Sequence, residues 1–380
     1  MKYIKPRRQE YNTYFQAPQD VLELNKIFND NNYKLYIVGG ALRDYFNNEE
    51  PKDYDLCTDA IPDEVIRILS PHYKVQLQGE AFGVVVVYTK SEPMGMEIAT
   101  FRKDISKGRN PEVKIGGVTI EEDSQRRDLT FNALFYDLET KKVIDVVGGK
   151  KDLDNKIVRM VGDPMVRIEE DPLRVLRVFR FSSRYGSTID NKTKEAIHKY
   201  NDISSVSMER IWDSVNGEFM KSFKQAKDFQ QYLDFITEFK LWGQILPGLK
   251  INPKIDNQDS ITLVLSQITK GNDVNEISKV FGKCSIPTEI TSKVLFLHSL
   301  DSFDPKKVLD VYKSKVRSKV DNKTIETWVN IKKLDNMISK FIDYKPSIKS
   351  EDVMKKFNLK PSRELGDKIK ELESIKFLNT

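Results

Sequence analysis

The sequence predicts an α+β protein, a head of mixed sheet and helices followed by an all-helical remainder, and three observations carry that reading. The chain has 380 residues, 39% hydrophobic and 31% charged, too long for one ordinary core and suited to two or more packed units. Up to about residue 150, short β-rich runs alternate with helical ones. After Pro172 the apolar residues recur at helical spacing.

Taken in order, "YKLYIVGG" reads as a strand running into a glycine turn and "ALRDYF" as the start of a helix. "KDYDLCT" reads as a second strand, and "FGVVVVYT" and "MEIATF" as two more. The later segments "PLRVLRVFRFSSRYG", "MERIWDSVNGEFMKSF", "DFQQYLDFITEF" and "DPKKVLDVYKSKVRSKV" carry helical spacing, with turn signals at Gly186, Pro247 to Gly248 and Pro305 between them. No internal repeat or low-complexity linker interrupts the series.

Composition narrows the function. No apolar run approaches the roughly 20 residues that span a bilayer, and "MKYIKPRRQE" lacks the apolar stretch of a signal peptide, so a cytoplasmic protein without a membrane partner is expected. Cys57 and Cys284 lie far apart with no C-x-x-C spacing, which speaks against a disulfide framework or a cysteine zinc site and for two buried thiols. The net charge is +5, but residues 301–380 hold 19 Lys and Arg against 13 Asp and Glu, leaving the rest near neutral. A basic end on a near-neutral body suits either a polyanionic partner or a solvated lysine-rich helical surface.

The candidate chemistry begins at "PKDYDLCTD". In a strand, Asp53 and Asp55 would point to one face and repel each other unless a cation lies between them; otherwise the stretch is an exposed acidic turn. Mg²⁺ is held by a few carboxylates together with substrate phosphates, which makes Asp53 and Asp55 candidate metal ligands. Glu97 is the candidate third carboxylate, or a solvent-facing strand residue. Gly39 and Gly40 form a strand-to-helix turn whose bare N–H groups suit an anion, with Arg43 one turn on. Arg126, Arg127 and Asp128 are read as leading a helix, where the dipole disfavours cations and a ligand could compensate. Asp171, Arg174, Arg177 and Arg180 fall at three-residue spacing and form a stripe, with Asp171 equally suited to cap a helix that starts at Pro172.

Together these stretches resemble a family. Gly39 to Asp44, Lys52 to Asp55, Arg126 to Ala133, Glu170 to Arg177 and Glu209 to Trp212 look like the ordered motifs of the class II, bacterial-type CCA-adding tRNA nucleotidyltransferases and their poly(A) polymerase relatives, across roughly residues 33–225. The resemblance implies a polymerase-beta-like catalytic head at 1–150, a base-recognising neck at 151–225, a helical body at 226–300 and a basic, tRNA-binding tail at 301–380. It carries metal binding onto Asp53 and Asp55 and triphosphate contact onto Gly40 and Arg43. Ribose selection falls on Arg127 and Asp128, base selection on Asp171 and Arg174, and further nucleotide contacts on Arg177 and Arg180. A carboxylate and a guanidinium complement the edges of cytosine and adenine and mismatch those of uracil and guanine.

The implied activity is addition of CCA to the 3' end of tRNA from CTP and ATP, with Mg²⁺, or Mn²⁺ in its place, and release of pyrophosphate. The stretch between Phe101 and Ile120 occupies the place of the family's flexible loop, with Asp104 and Arg109 as its candidate residues and Lys107 where an acid is common. Gly79-Glu80-Ala81-Phe82 lacks the basic pair of the poly(A) polymerases and favours CCA addition. The alternatives are a poly(A) polymerase, an enzyme adding only A or CC, and a catalytically silent RNA-binding relative. An appended phosphohydrolase is not expected, since none of His72, His198 and His298 precedes an Asp.

Overall fold

The structure, a computed structural model, describes residues 8–78, 83–105, 112–334 and 336–379. It divides into two compact units, one running to Val206 with Gln225–Asp228 added, the other comprising Ser207–Lys224 and the chain from Phe229 on.

The first unit contains strands β1 (Gln9–Asn12), β2 (Leu35–Val38), β3 (Asp55–Thr58), β4 (Lys74–Gln78), β5 (Val84–Tyr88), β6 (Met96–Thr100), β7 (Arg102–Asp104), β8 (Val113–Ile115), β9 (Leu134–Asp137) and β10 (Lys142–Asp145). Its helices are α1 (Gln19–Asp30), α2 (Gly40–Phe46), α3 (Pro62–Leu69), α4 (Ile120–Gln125), α5 (Gly149–Asp154), α6 (Pro164–Glu170), α7 (Leu173–Tyr185) and α8 (Asn191–Lys199). Eight strands form one sheet in the order β1-β10-β9-β2-β3-β6-β5-β4, in which only β3 and β6 run parallel. β7 and β8 make a separate antiparallel ribbon.

Period-two alternation divides the sheet's side chains between two faces. Leu35, Ile37, Leu56, Ile98 and Leu134 go to the face covered by α1, α2 and α3, where they join Leu24, Phe28, Leu42 and Ile68 in one core. Val38, Cys57, Phe135 and Ile144 go to the other, where Phe101, Val118 and Ile120 cover them. Asp55 and Glu97 alternate onto this second face and remain exposed, so the sheet ends there in polar chemistry instead of core.

Two expectations are corrected. "KDYDLCT" is a strand only from Asp55: β2 and β3 pair up to Val38 and Asp55, and beyond Val38 the chain turns away at Gly39, so Asp53 has no strand to pair with. Arg126 to Asp128 follow a helix instead of leading one. α4 starts at a capping box, with Thr119 accepting from the Glu122 N–H and Glu122 from the Thr119 N–H, and Arg126 closes its C-terminal end. The dipole there favours the cations. The apolar residues that follow form a short 3-10 turn at Thr130–Asn132 and then β9, buried on both sides.

The regular elements of the second unit are all helices among the described residues. Near its start Trp212, Phe219, Phe229 and Tyr232 pack in edge and tilted contacts, with Trp212 and Phe219 centroids 4.3 Å apart. Further on, Phe296, Leu300, Trp328, Phe341 and Phe377 form a single core. Cys57 and Cys284 are both buried and free.

Candidate active site

The antiparallel register fixes the site. Val38 lies opposite Asp55, so the chain's next residues, Gly39 and Gly40, turn beside the segment carrying the acids. Gly39 has φ +69°, a conformation that L side chains resist, and its N–H donates to the Leu134 carbonyl at 3.2 Å. That bond pins the turn to β9.

In the parallel pair, Leu56 lies opposite Ile98. Asp55 and Glu97, each one residue earlier, are therefore neighbours on the same face. Asp53 approaches from the segment before β3. All three side chains reach solvent. Yet Asp55 sits among enough protein that withdrawal from water, then the charges of Glu97 and Asp53, raise its pKa, with Arg127 and Arg43 opposing. Three carboxylates and two guanidiniums thus act within electrostatic reach of one spot.

Among the described residues no three ligating side chains close on a point tightly enough to hold an ion by themselves. Mg²⁺ asks for less: it is commonly held by one or two carboxylates, with water and substrate phosphates completing its shell. The hard oxygen donors of Asp53 and Asp55 match that donor set.

Beside the acids lies an arginine clasp. The Asp123 carboxylate is 1% exposed and accepts from Arg126 at 2.9 Å, from Arg127 at 2.8 and 3.0 Å, and from the Arg102 N–H at 3.2 Å. Burial alone would raise the Asp123 pKa, but Arg127 and Arg126 outweigh it and hold the carboxyl below its usual range. Arg127 also lies over the Phe135 ring at 4.9 Å. Asp128 accepts from the Leu129 N–H, the Asn132 amide and, through its other oxygen, Arg177 at 2.7 Å. Again burial opposes ionisation, and Arg177, Asn132 and Arg174 overcome it, keeping Asp128 well below the usual carboxylate range.

α7 supplies the stripe. Arg174 donates to Glu170 at 2.5 Å and to the backbone carbonyls of Arg167 and Arg126. Arg177 reaches Asp128, and Arg180, 5% exposed, donates to Gln225 and lies 4.1 Å over the Phe181 ring. Asp171 ends α6 and precedes α7, and its Oδ1 accepts from the Leu173 N–H at 3.2 Å. That oxygen is engaged at the start of α7, although the residue at the N-cap position is Pro172.

Arg43 is buried, donating to Asn132 Oδ1 and the Tyr185 hydroxyl at 2.8 Å each and to Asp44 at 3.1 Å. It is thus bound into the protein, and its reach toward an anion is through its charge. Asp44 also accepts from the Tyr185 hydroxyl at 2.9 Å and from Arg184 at 3.1 Å, joining α2 to the end of α7. Burial pushes the Tyr185 phenol up, keeping it a donor. Asp104 closes β7 with Oδ1 buried and unbonded, within electrostatic reach of Arg102 and Arg167; burial, with Arg126, pushes Arg102 down to about 10. Arg109, Lys107 and the stretch Gly79 to Phe82 lie outside the described residues.

Sequence reasoning missed Asp123, Asn132, Arg184 and Tyr185. The spacing of Asp123 three and four residues before Arg126 and Arg127 was a readable helical signal once α4 is placed correctly. The others act across long sequence separations.

Comparison with known proteins agrees with this architecture. Residues 35–159 match the poly A polymerase head domain. The chain is 37% identical over 230 residues to the CCA-adding enzyme of Bacillus subtilis (strain 168), covering 60% of this chain and 55% of that one. It is 28% identical over 283 residues to poly(A) polymerase I of Salmonella typhi, covering 71% and 59%. The chain thus spans little more than half the length of these curated relatives. Among solved structures, the Bacillus stearothermophilus CCA-adding enzyme in complex with CTP superposes with a TM-score of 0.70 at 21% identity over 94% of this chain and 92% of that one. The Thermotoga maritima CCA-adding enzyme complexed with tRNA gives 0.67 at 16% identity over 96% and 93%. At these identities the structural likeness is one of fold. In its head the chain is similar to the poly A polymerase head domain, and over its length it shares the fold of the CCA-adding enzymes.

Proposed function

We propose that the protein is a nucleotidyltransferase that adds CCA to the 3' end of tRNA from CTP and ATP, without a nucleic acid template. The observation that supports this best is the convergence of Asp53, Asp55 and Glu97 on an open sheet face beside the Gly39–Gly40 turn, with Arg127 and Arg43 within electrostatic reach.

Asp53 and Asp55 would hold a divalent cation, taken to be Mg²⁺, which when bound neutralises phosphate charge and lowers the pKa of an attacking hydroxyl. The rest is positioning by the protein. With the Gly39 N–H bound to Leu134, the turn offers the Gly40 N–H with no Cβ in the way, and the buried Arg43 adds positive charge beneath. Arg127, held rigid by Asp123, and Asp128, held by Arg177, face the ribose. Asp171, with one oxygen engaged by the Leu173 N–H, and Arg174 read the base edge. Glu97 completes the acidic cluster beside Asp55.

A second reading, poly(A) polymerase, is favoured by one observation: the poly(A) polymerase relative aligns over a longer stretch than the CCA-adding one. Products separate the two. A tRNA transcript ending at the discriminator base, incubated with CTP, with ATP and with both, followed by 3'-end sequencing, should gain two nucleotides from CTP and exactly the third from ATP, then stop. Extension into a long tail from ATP alone would establish the polymerase instead, and binding without incorporation would overturn both.

A further inference from the structure

On the helix-covered side of the first unit, a recess of about 550 Å³ opens between the segment before α1, helix α2 and the stretch before β3. This volume lies within the range of small-molecule sites. Its walls are Tyr14, Phe15, Tyr45, Pro51 and Tyr54, with Glu50 at the rim. The rings are set at steep angles: Phe15 meets Tyr45 at 81° with centroids 5.1 Å apart and Tyr54 at 64° with centroids 6.3 Å apart. The Tyr45 hydroxyl donates to the Tyr14 carbonyl at 2.6 Å, which fixes one wall to the next. Tyr14 itself is 91% exposed, an aromatic side chain that packs on little of its own protein.

The charge lining this box is of one sign among the described residues. Among the described residues no Lys or Arg lines the recess. Glu50 makes no ion pair or hydrogen bond through its carboxylate among the described residues. Glu50 is the one charged side chain that lines the box among the described residues. Lys90 acts on Asp20 and does not line it. Electron-rich ring faces at steep angles beside an unpaired carboxylate are the arrangement that attracts an organic cation, whose charge is too diffuse to be held strongly by water. An anion would meet a carboxylate and ring faces, and a neutral apolar ligand would leave Glu50 uncompensated.

We propose that this recess is a binding site for a small organic cation with an alkylammonium head, free in solution and separate from the nucleotide site. The site does not depend on the nucleotide reading. It does adjoin the acids in the chain, because the wall from Glu50 to Tyr54 runs into Asp53 and Asp55, and an occupant would hold that segment in place.

The test uses the full chain without tRNA or nucleotide, at constant ionic strength, with choline as the probe and 3,3-dimethylbutan-1-ol as its neutral isostere, followed by saturation-transfer NMR. Choline is expected to bind saturably and about tenfold more tightly than the isostere, and Glu50→Gln and Tyr14→Ala should each weaken it about threefold or more. The exposure of both side chains predicts unchanged melting temperatures for the two variants, so loss of binding is not loss of fold. Absence of a saturable choline signal, equal binding of the isostere, or parental affinity in either variant would overturn the proposal.

Discussion

At Asp55, the surrounding protein and the charges of Glu97 and Asp53 all oppose ionisation, and Arg127 and Arg43 counter them only in part. The folded protein therefore holds the Asp55 proton more tightly than the unfolded chain does. Above that raised pKa the ionised carboxylate disfavours folding, and the penalty fades as the pH falls and the group protonates. Asp55→Asn is accordingly expected to raise the melting temperature at pH 7, with the gain shrinking in acid, while nucleotide incorporation falls about a thousandfold or more. Melting curves across pH and single-turnover incorporation measure the two effects. A lower melting temperature at pH 7 would contradict the crowded-acid account, and retained activity would remove Asp55 from the site. Asp53→Ala, at an exposed position outside the strand, should abolish incorporation with the fold intact.

Among the elements, α7 ties most of the site together, and two substitutions probe it. Arg177→Met leaves the buried Asp128 without its guanidinium. Pairs with both partners buried cost about 3–5 kcal/mol when broken this way, and with Arg177 33% exposed the expected loss is about 2 kcal/mol. Because Asp128 titrates below its ordinary range in the folded state, that stability is present above the unfolded carboxylate pKa and lost as the pH falls through the lower folded one. Denaturation should show the difference between parent and variant narrowing in acid. Asp171→Asn keeps the oxygen that accepts from Leu173, whereas Asp171→Ala removes it and should cost about 1 kcal/mol. If Asp171 reads the base, both variants should lose discrimination of CTP and ATP over UTP and GTP; if it only engages the start of α7, Asn should restore discrimination.

The same elements show what the sequence made legible. β2, the glycine turn and α2 were readable because alternation, then two glycines, then helical spacing succeed one another locally. The true start of β3 was not, because it depends on where β2 stops offering a partner. The Arg126–Asp128 segment was misplaced because its capping box lies upstream, at Thr119 and Glu122, while the apolar run after it imitates a helix. Arg43 meets Asn132 89 residues later and Tyr185 142 residues later, contacts that no local pattern announces.

Over the whole molecule the charge is uneven, with the excess concentrated in residues 301–380. There, a recess of about 320 Å³ is lined by Tyr312, Lys315, Lys319, Tyr344 and Lys345. Lys315 is committed to Asn322 and the Ile342 carbonyl at 2.6 Å each, and burial lowers its pKa. Lys319 and Lys345 are exposed and carry their charge outward. If the basic end binds the proposed tRNA substrate, each lysine that meets a phosphate releases a counterion, and log K falls with log salt by about 0.7–0.9 per contact. Replacing Lys319 and Lys345 together with Gln should therefore weaken tRNA binding most at low salt and flatten that slope by between about one and two. The effect should be the same for tRNAs of different sequence, since phosphate contacts carry no sequence information. Filter binding across a salt series decides the matter: an unchanged affinity and slope would make these two lysines part of a solvated surface and would locate the polyanion contact elsewhere.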